Sequence, residues 1–231
     1  MARPRTDIKP RIVRAARARF IAEGVDGASL RTIASDAKTN VGMIFYYFPT
    51  KDDLFLAAIE DVYVALLFDL ERALAGDAPV RERLERLFVR LGRASEDELD
   101  VVRLVLREVL LSSTRFGRVF ARFRKGHIAM LLSVLAEGVQ RGELDASIPL
   151  PMLLLSTAAM GAVPQFVRRA TERRSPFDAL PSSPERLAAL SAELLFRAIG
   201  ASVTKRTRAP KSAPTKHATA SAKRPRTPRA R

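Results

Sequence analysis

The chain has 231 residues, of which 47% are hydrophobic, enough to bury a sizeable core and to hold two domains. It carries a formal charge of +15 and no cysteine, which excludes disulfides, thiolate metal sites and cysteine nucleophiles. Ten basic residues and no acidic ones fall between Lys205 and Arg231, so the rest carries only +5. A mildly basic body with an attached polycation does not by itself establish a nucleic-acid partner.

The first helix is predicted to begin near Lys9, with Asp7 as N-cap and Pro10 in the first turn, where no intrahelical donor is lost. Ile12, Val13, Ala16, Phe20 and Ile21 form its apolar face, and Gly24 and Gly27 end it around Val25. Met1 to Lys9 is basic and lacks the apolar run of a signal peptide. Arg3 and Arg5 within it are candidates for an arm into a minor groove.

Two short apolar stripes follow at helical spacing. Leu30, Ile33, Ala34 and Ala37 form one, behind the N-cap candidate Ser29. Val41, Ile44, Phe45 and Phe48 form the other, capped by Asn40 and stopped by Pro49. Only Lys38, Thr39 and Asn40 separate them. Two helices joined by so short a turn make a helix-turn-helix, whose second helix usually enters a DNA major groove. Closure of the three helices over Val13, Phe20, Leu30, Ile33, Ile44 and Phe48 predicts a small independent core. Thr50 with Asp53 forms a capping-box start for a fourth helix, Lys51 to about Ala75.

Beyond Gly76 the periodicity predicts helices near 79–95, 98–113, 116–141, 150–173 and 184–202, with no strand-like alternation. The fold class is all-α. Residues 1–50 are expected to form the helix-turn-helix domain and residues 51–203 a second helical domain. Residues 204–231 are too polar to offset their ordering entropy and are expected to be a disordered basic tail. No charge occurs from Ala146 to Val167, but three prolines and several polar residues interrupt that stretch. It reads as a buried or subunit-interface helix rather than a membrane span, and the protein as cytoplasmic and nucleoid-associated.

With Val41, Ile44, Phe45 and Phe48 facing inward, Thr39, Met43, Tyr46 and Tyr47 share the opposite side, and Asn40 and Gly42 lead the helix. Gly42 removes a side chain where backbone would approach DNA, and the two tyrosines can meet thymine methyls or phosphates. Ser29, Arg31 and Lys38 are phosphate candidates.

The run from Ile12 to Leu54 closely resembles the N-terminal domain of the TetR/AcrR family of bacterial transcriptional regulators. The resemblance rests on Ile12, Ala15-Ala16, Phe20, Glu23-Gly24, Ser29-Leu30, Ile33-Ala34, Ala37, Gly42 and Ile44, and on Phe45-Tyr46-Tyr47-Phe48-Pro49-Thr50-Lys51. It implies that Lys51 contacts phosphate and that the second domain binds an effector and dimerises. Three positions depart from the family pattern: Lys38 stands where relatives usually have Gly, Phe45 where they have Tyr, and Thr39 where they have a small apolar residue.

Candidate lining residues for an unknown small-molecule effector are Arg103, Arg107, Phe120, Phe123, His127 and Met160. Helices near 150–173 and 184–202 are expected to pair with their symmetry mates. Leu153, Leu154, Thr157, Met160 and Gly161, with Leu187, Leu190, Leu194 and Phe196, would supply the surface. A twofold homodimer would read a palindromic operator in double-stranded DNA. The expected function is therefore a ligand-responsive repressor. The alternative is an architectural, nucleoid-type protein whose basic tail supplies most of the binding. No cofactor or metal is expected. With two histidines and no cysteine the usual catalytic constellations are missing, so catalysis is not expected.

Overall fold

The computed structural model describes residues 8–171, 177 and 179–201. It is all-α. The helices are α1 Ile8–Gly27, α2 Leu30–Asp36, α3 Val41–Tyr47, α4 Lys51–Leu74, α5 Val80–Gly92, α6 Glu96–Leu111, α7 Ser113–Arg124, α8 His127–Gln140, α9 Leu150–Thr171 and α10 Pro184–Ile199. The expected cap at Asp7, the arm at Arg3 and Arg5 and the tail at 204–231 lie outside the described residues.

Helix α1 runs through to Gly27 but is interrupted at Gly24, whose φ of 80° is open to glycine and strained for other residues. Helix α6 satisfies the exposed end. Arg107 donates to the carbonyls of Phe20 and Ile21, and the Val25 amide donates to Glu108 Oε1 at 3.1 Å. Ser29 occupies the N-cap position of α2, yet its hydroxyl makes no cap bond. Asn40 and Thr50 do cap. Asn40 Oδ1 accepts the Met43 amide at 2.9 Å, and Thr50 and Asp53 complete a capping box on α4.

One predicted helix is two. The stretch expected at 116–141 breaks at Lys125-Gly126, giving α7 and α8. The break lies where the chain passes close to α4, and glycine is needed there because a Cβ on Gly126 would collide with the Tyr63 hydroxyl. That hydroxyl accepts the His127 amide at 3.1 Å and so caps α8. Helix α9 is long and apolar enough to cross a membrane by length and composition. Its buried face packs on α5, α8 and α10.

The N-terminal core does not close on itself at residue 50. Ile12, Phe20, Ile33 and Ile44 are continuous with Leu54, Phe55, Ile59 and Tyr63 of α4, Val101 and Leu104 of α6 and Val119 of α7. A three-helix cluster leaves one side of α1 bare, and α4 and α6 cover it; the described residues through Ala201 form one compact unit. A second apolar cluster joins the far end of α4, at Leu70 and Leu74, to α5, α8, α9 and α10. Helix α4 therefore belongs to both.

Candidate nucleic-acid interface and internal cavity

Helix α3 is anchored by Ile44 and Phe48, which are 1% and 5% exposed. Its outward face carries Gly42, Phe45 and Tyr46, with Phe45 at 50% and Tyr46 at 76% exposure. Two expectations change here. Phe45 is not a core residue, and Tyr47, like Met43, packs half-buried against the core instead of lying opposite it. The cause is helical geometry. Tyr47 lies three residues from Ile44, within roughly 60° of it around the axis, whereas Phe45 is turned away by roughly 100°. Tyr46 and Tyr47 make a T-shaped contact with centroids 5.0 Å apart, which steadies the exposed ring.

The turn ahead of α3 is a Schellman closure. The Thr39 amide reaches the Ala34 carbonyl at 2.9 Å, and the Lys38 amide the Ser35 carbonyl at 3.0 Å. Lys38 takes the left-handed position with φ of 51°, so the lysine adopts the backbone that glycine usually provides there. Ser29, Arg31, Lys38 and Asn40 are exposed, and Thr39 is half-buried. Lys51 points its ammonium at the Asp26 carbonyl, 3.0 Å away, which leaves two of its three donors.

Behind this surface lies an ion-pair junction that sequence reasoning missed. Arg115 of α7, 8% exposed, donates to Glu108 Oε2 at 2.7 Å, to Asp52 at 3.1 Å and to Asp26. Arg118 pairs with Asp53 and Arg122 with Glu60, so α7 lies along the acidic edge of α4. The Arg115 guanidinium holds the Asp26 carboxyl below the usual range, and the Thr50 hydroxyl, with Arg118, does the same for Asp53. Asp52 and Asp53 are thus interhelical partners as well as helix N-terminal charges. The available signal was the arginine spacing at 115, 118 and 122 against the acids of α4.

The second site is a cavity of about 270 Å³ lined by residues of α4, α5, α6, α7, α8 and α9. Phe123 and His127, named from sequence, are in its wall. Arg103, Arg107, Phe120 and Met160 are not. Arg103 turns outward to Asp100, Arg107 caps α1, and Phe120 stacks on Phe116 with centroids 5.8 Å apart. Met160 packs against the second core. The wall is otherwise aliphatic and aromatic, broken by Tyr63, Glu98, His127 and Thr157. Burial, aided by the nearby Arg122, lowers the His127 imidazole to a pKa of about 4, so the ring is neutral at physiological pH. Among the described residues no group of three or more His, Cys, Asp or Glu could hold a metal ion.

Comparison with known proteins agrees with this geometry. The family profile described as bacterial regulatory proteins, tetR family, matches residues 12–58, which cover α1 to α3 and the start of α4. The HTH-type transcriptional repressor SCO4008 of Streptomyces coelicolor is 29% identical over 164 residues, 69% of this chain and 81% of that protein. The crystal structure of a tetR family transcription regulator from Shewanella sp. PV-4 superposes with a TM-score of 0.66 at 20% identity, covering 83% of this chain and 97% of that one. FadR of Bacillus subtilis, solved in complex with stearoyl-CoA, superposes with a TM-score of 0.60 at 19% identity, covering 80% and 96%. The fold, the exposed second helix of the helix-turn-helix and the sequence match lead to one conclusion: over residues 12–58 the chain carries the DNA-binding domain of the tetR family of bacterial regulatory proteins, and along about two thirds of its length it is similar to HTH-type transcriptional regulators.

Proposed function

We propose that the chain is a homodimeric repressor that grips a palindromic operator and releases it when a small apolar molecule fills the cavity. The observation that carries the DNA reading is the outward face of α3, where two large aromatic side chains stand in solvent beside a glycine. Exposed Phe45 and Tyr46 cost hydration free energy unless a partner covers them, and thymine methyls and phosphates are suited to do so. Thr39, Gly42, Met43, Tyr46 and Tyr47 would read bases or fix the helix in the groove. Ser29, Arg31, Lys38, Asn40 and Lys51 would meet the backbone on either side. In this division of labour residues 1–50 recognise DNA and residues 51–203 sense and dimerise, although one core spans both. The chain would act in the cytoplasm.

A dimer is supported by the free faces of α9 and α10. Met152, Leu155 and Val163 are 52%, 62% and 55% exposed and lie along one side of α9, beside Leu190 and Leu194 on α10 at 43% and 45%. This stripe is displaced from the expected one. Leu153, Thr157, Gly161 and Leu187 are buried inside the protomer. Helix α6 offers the coupling route, since Val101 and Val105 line the cavity while Arg107 and Glu108 cap α1. A ligand that shifts α6 would move α1 and change the spacing of the two recognition helices.

The test is operator binding by Tyr46→Ala, on a site taken from a genome-wide binding map. Affinity is expected to fall about tenfold or more, with helicity and dimer mass unchanged. Wild-type affinity would overturn the assignment of the α3 face. Leu155→Glu with Leu194→Glu is expected to yield monomers by light scattering. Deleting 205–231 is expected to weaken binding and flatten its salt dependence while keeping sequence preference. Loss of that preference would instead favour the architectural reading.

A further inference from the structure

The polar groups in the cavity wall determine the kind of molecule it can hold. Tyr63 uses a lone pair to accept the His127 amide at 3.1 Å, and its own proton has one acceptor within reach, His127 Nδ1 at 2.9 Å. Nδ1 therefore accepts, and a neutral ring carries its proton on Nε2. No described group accepts from that Nε2–H. Thr157, on the opposing α9, is fully buried in the cavity wall, and its hydroxyl has no hydrogen-bond partner.

The charges near the cavity are already matched. Glu98 is held by two nitrogens of Arg90, at 2.5 and 3.2 Å, and by the Ser95 amide at 2.7 Å. Arg122, which stacks on the Tyr63 ring at 4.9 Å, is engaged with both carboxylate oxygens of Glu60. Among the described lining residues there is no cation. A charged ligand would lose its hydration and find no opposite charge to replace it. A pure hydrocarbon would leave the buried Thr157 hydroxyl unsatisfied and offer no acceptor to the His127 Nε2–H.

We propose that the cavity takes an uncharged, largely apolar molecule bearing a carbonyl or ether acceptor, which receives the His127 Nε2–H and finds its second polar contact at the Thr157 hydroxyl. A carboxylate placed inside is excluded by the same wall. This inference rests on the cavity being the effector site proposed above. It specifies the ligand class.

Two probes of matched length, 2-nonanone and nonanoate, are titrated into the full chain at pH 7.5 and followed by calorimetry. The ketone is expected to bind at least about tenfold more tightly than the carboxylate. Thr157→Val, which removes a hydroxyl with no partner to lose, is expected to fold normally and to weaken the ketone about threefold. His127→Leu is expected to weaken it about tenfold. Nonanoate binding as tightly as 2-nonanone, no ketone binding, or wild-type ketone affinity in both variants would overturn the proposal. A parallel arm adds 2-nonanone to the protein–operator complex. Selective binding without DNA release would leave the ligand class standing and remove the effector reading alone.

Discussion

The two apolar clusters of this protein share a helix but are built to different ends. The first, around Phe20, Ile33, Ile44 and Phe55, buries each of these side chains to 1% exposure or less. The second gathers comparable residues, Leu84, Phe88, Leu135 and Leu153, but the cavity opens along its seam with the first. Ile59, Tyr63 and Val101 of the first cluster and Leu70, Leu87 and Phe88 of the second line the same space. One region is filled to hold a surface in place. The other gives up packing at the boundary, where a ligand would act on α4 and α6 together.

The contrast can be broken most directly by truncation. Phe20 is fully buried and meets Phe55 edge-on with centroids 6.3 Å apart. Phe20→Ala is expected to cost about 3–5 kcal/mol in urea unfolding, whereas Val105→Ala on the cavity wall is expected to cost about 1 kcal/mol or less. Atoms lining a void already lack partners on one side. Equal losses would mean that the cavity wall is as tightly packed as the first core.

Acid sharpens the same comparison. The His127 imidazole titrates near 4 in the folded chain and near its ordinary 6.5 when unfolded, so the unfolded state takes up the proton first. Stability is therefore expected to fall as pH drops from about 6.5 to 4, by up to about 3 kcal/mol. His127→Leu should be flat over the upper part of that window in thermal melts. Asp26, Asp53 and Glu98 have depressed pKa values, so their contribution is kept above the usual carboxylate range and lost only as pH falls below it. A wild-type profile flat from 6.5 to 5 would contradict the buried neutral ring. Filling the seam is the milder test. Ala162→Leu projects into the cavity and is expected to add about 1 kcal/mol of stability while abolishing ketone binding.

The first cluster was readable in the sequence because its signals are local. Stripes at three and four residues, the Asn40 cap, the Thr50–Asp53 box and Pro49 all act within one turn of where they stand. The misreadings there were angular: with only seven residues in α3, Phe45 and Tyr47 exchange places if the buried arc is centred one residue off. The cavity was not readable in this way. Its walls come from residues 59 to 166, and nothing in Arg107's own helix shows that it reaches back to the carbonyls of Phe20 and Ile21. Phe123 and His127 were found because they share a stripe. Tyr63 was missed because its partner lies 64 residues away.

The smallest expected effect tests a single backbone angle on the DNA-binding side. Lys38 holds φ at 51°, where a Cβ crowds the neighbouring carbonyl, and glycine would remove that crowding. The unfolded chain would gain freedom from the same change, so the two effects partly cancel. Lys38→Gly is accordingly expected to stabilise by a few tenths to about 1 kcal/mol. If the exposed ammonium meets a phosphate, the variant will also bind the operator more weakly, at every sequence alike, and the salt slope will drop by about one. Greater stability with unchanged DNA affinity would make Lys38 only a strained turn residue. Lower stability would mean that the side chain contributes more to the turn than its backbone angle costs.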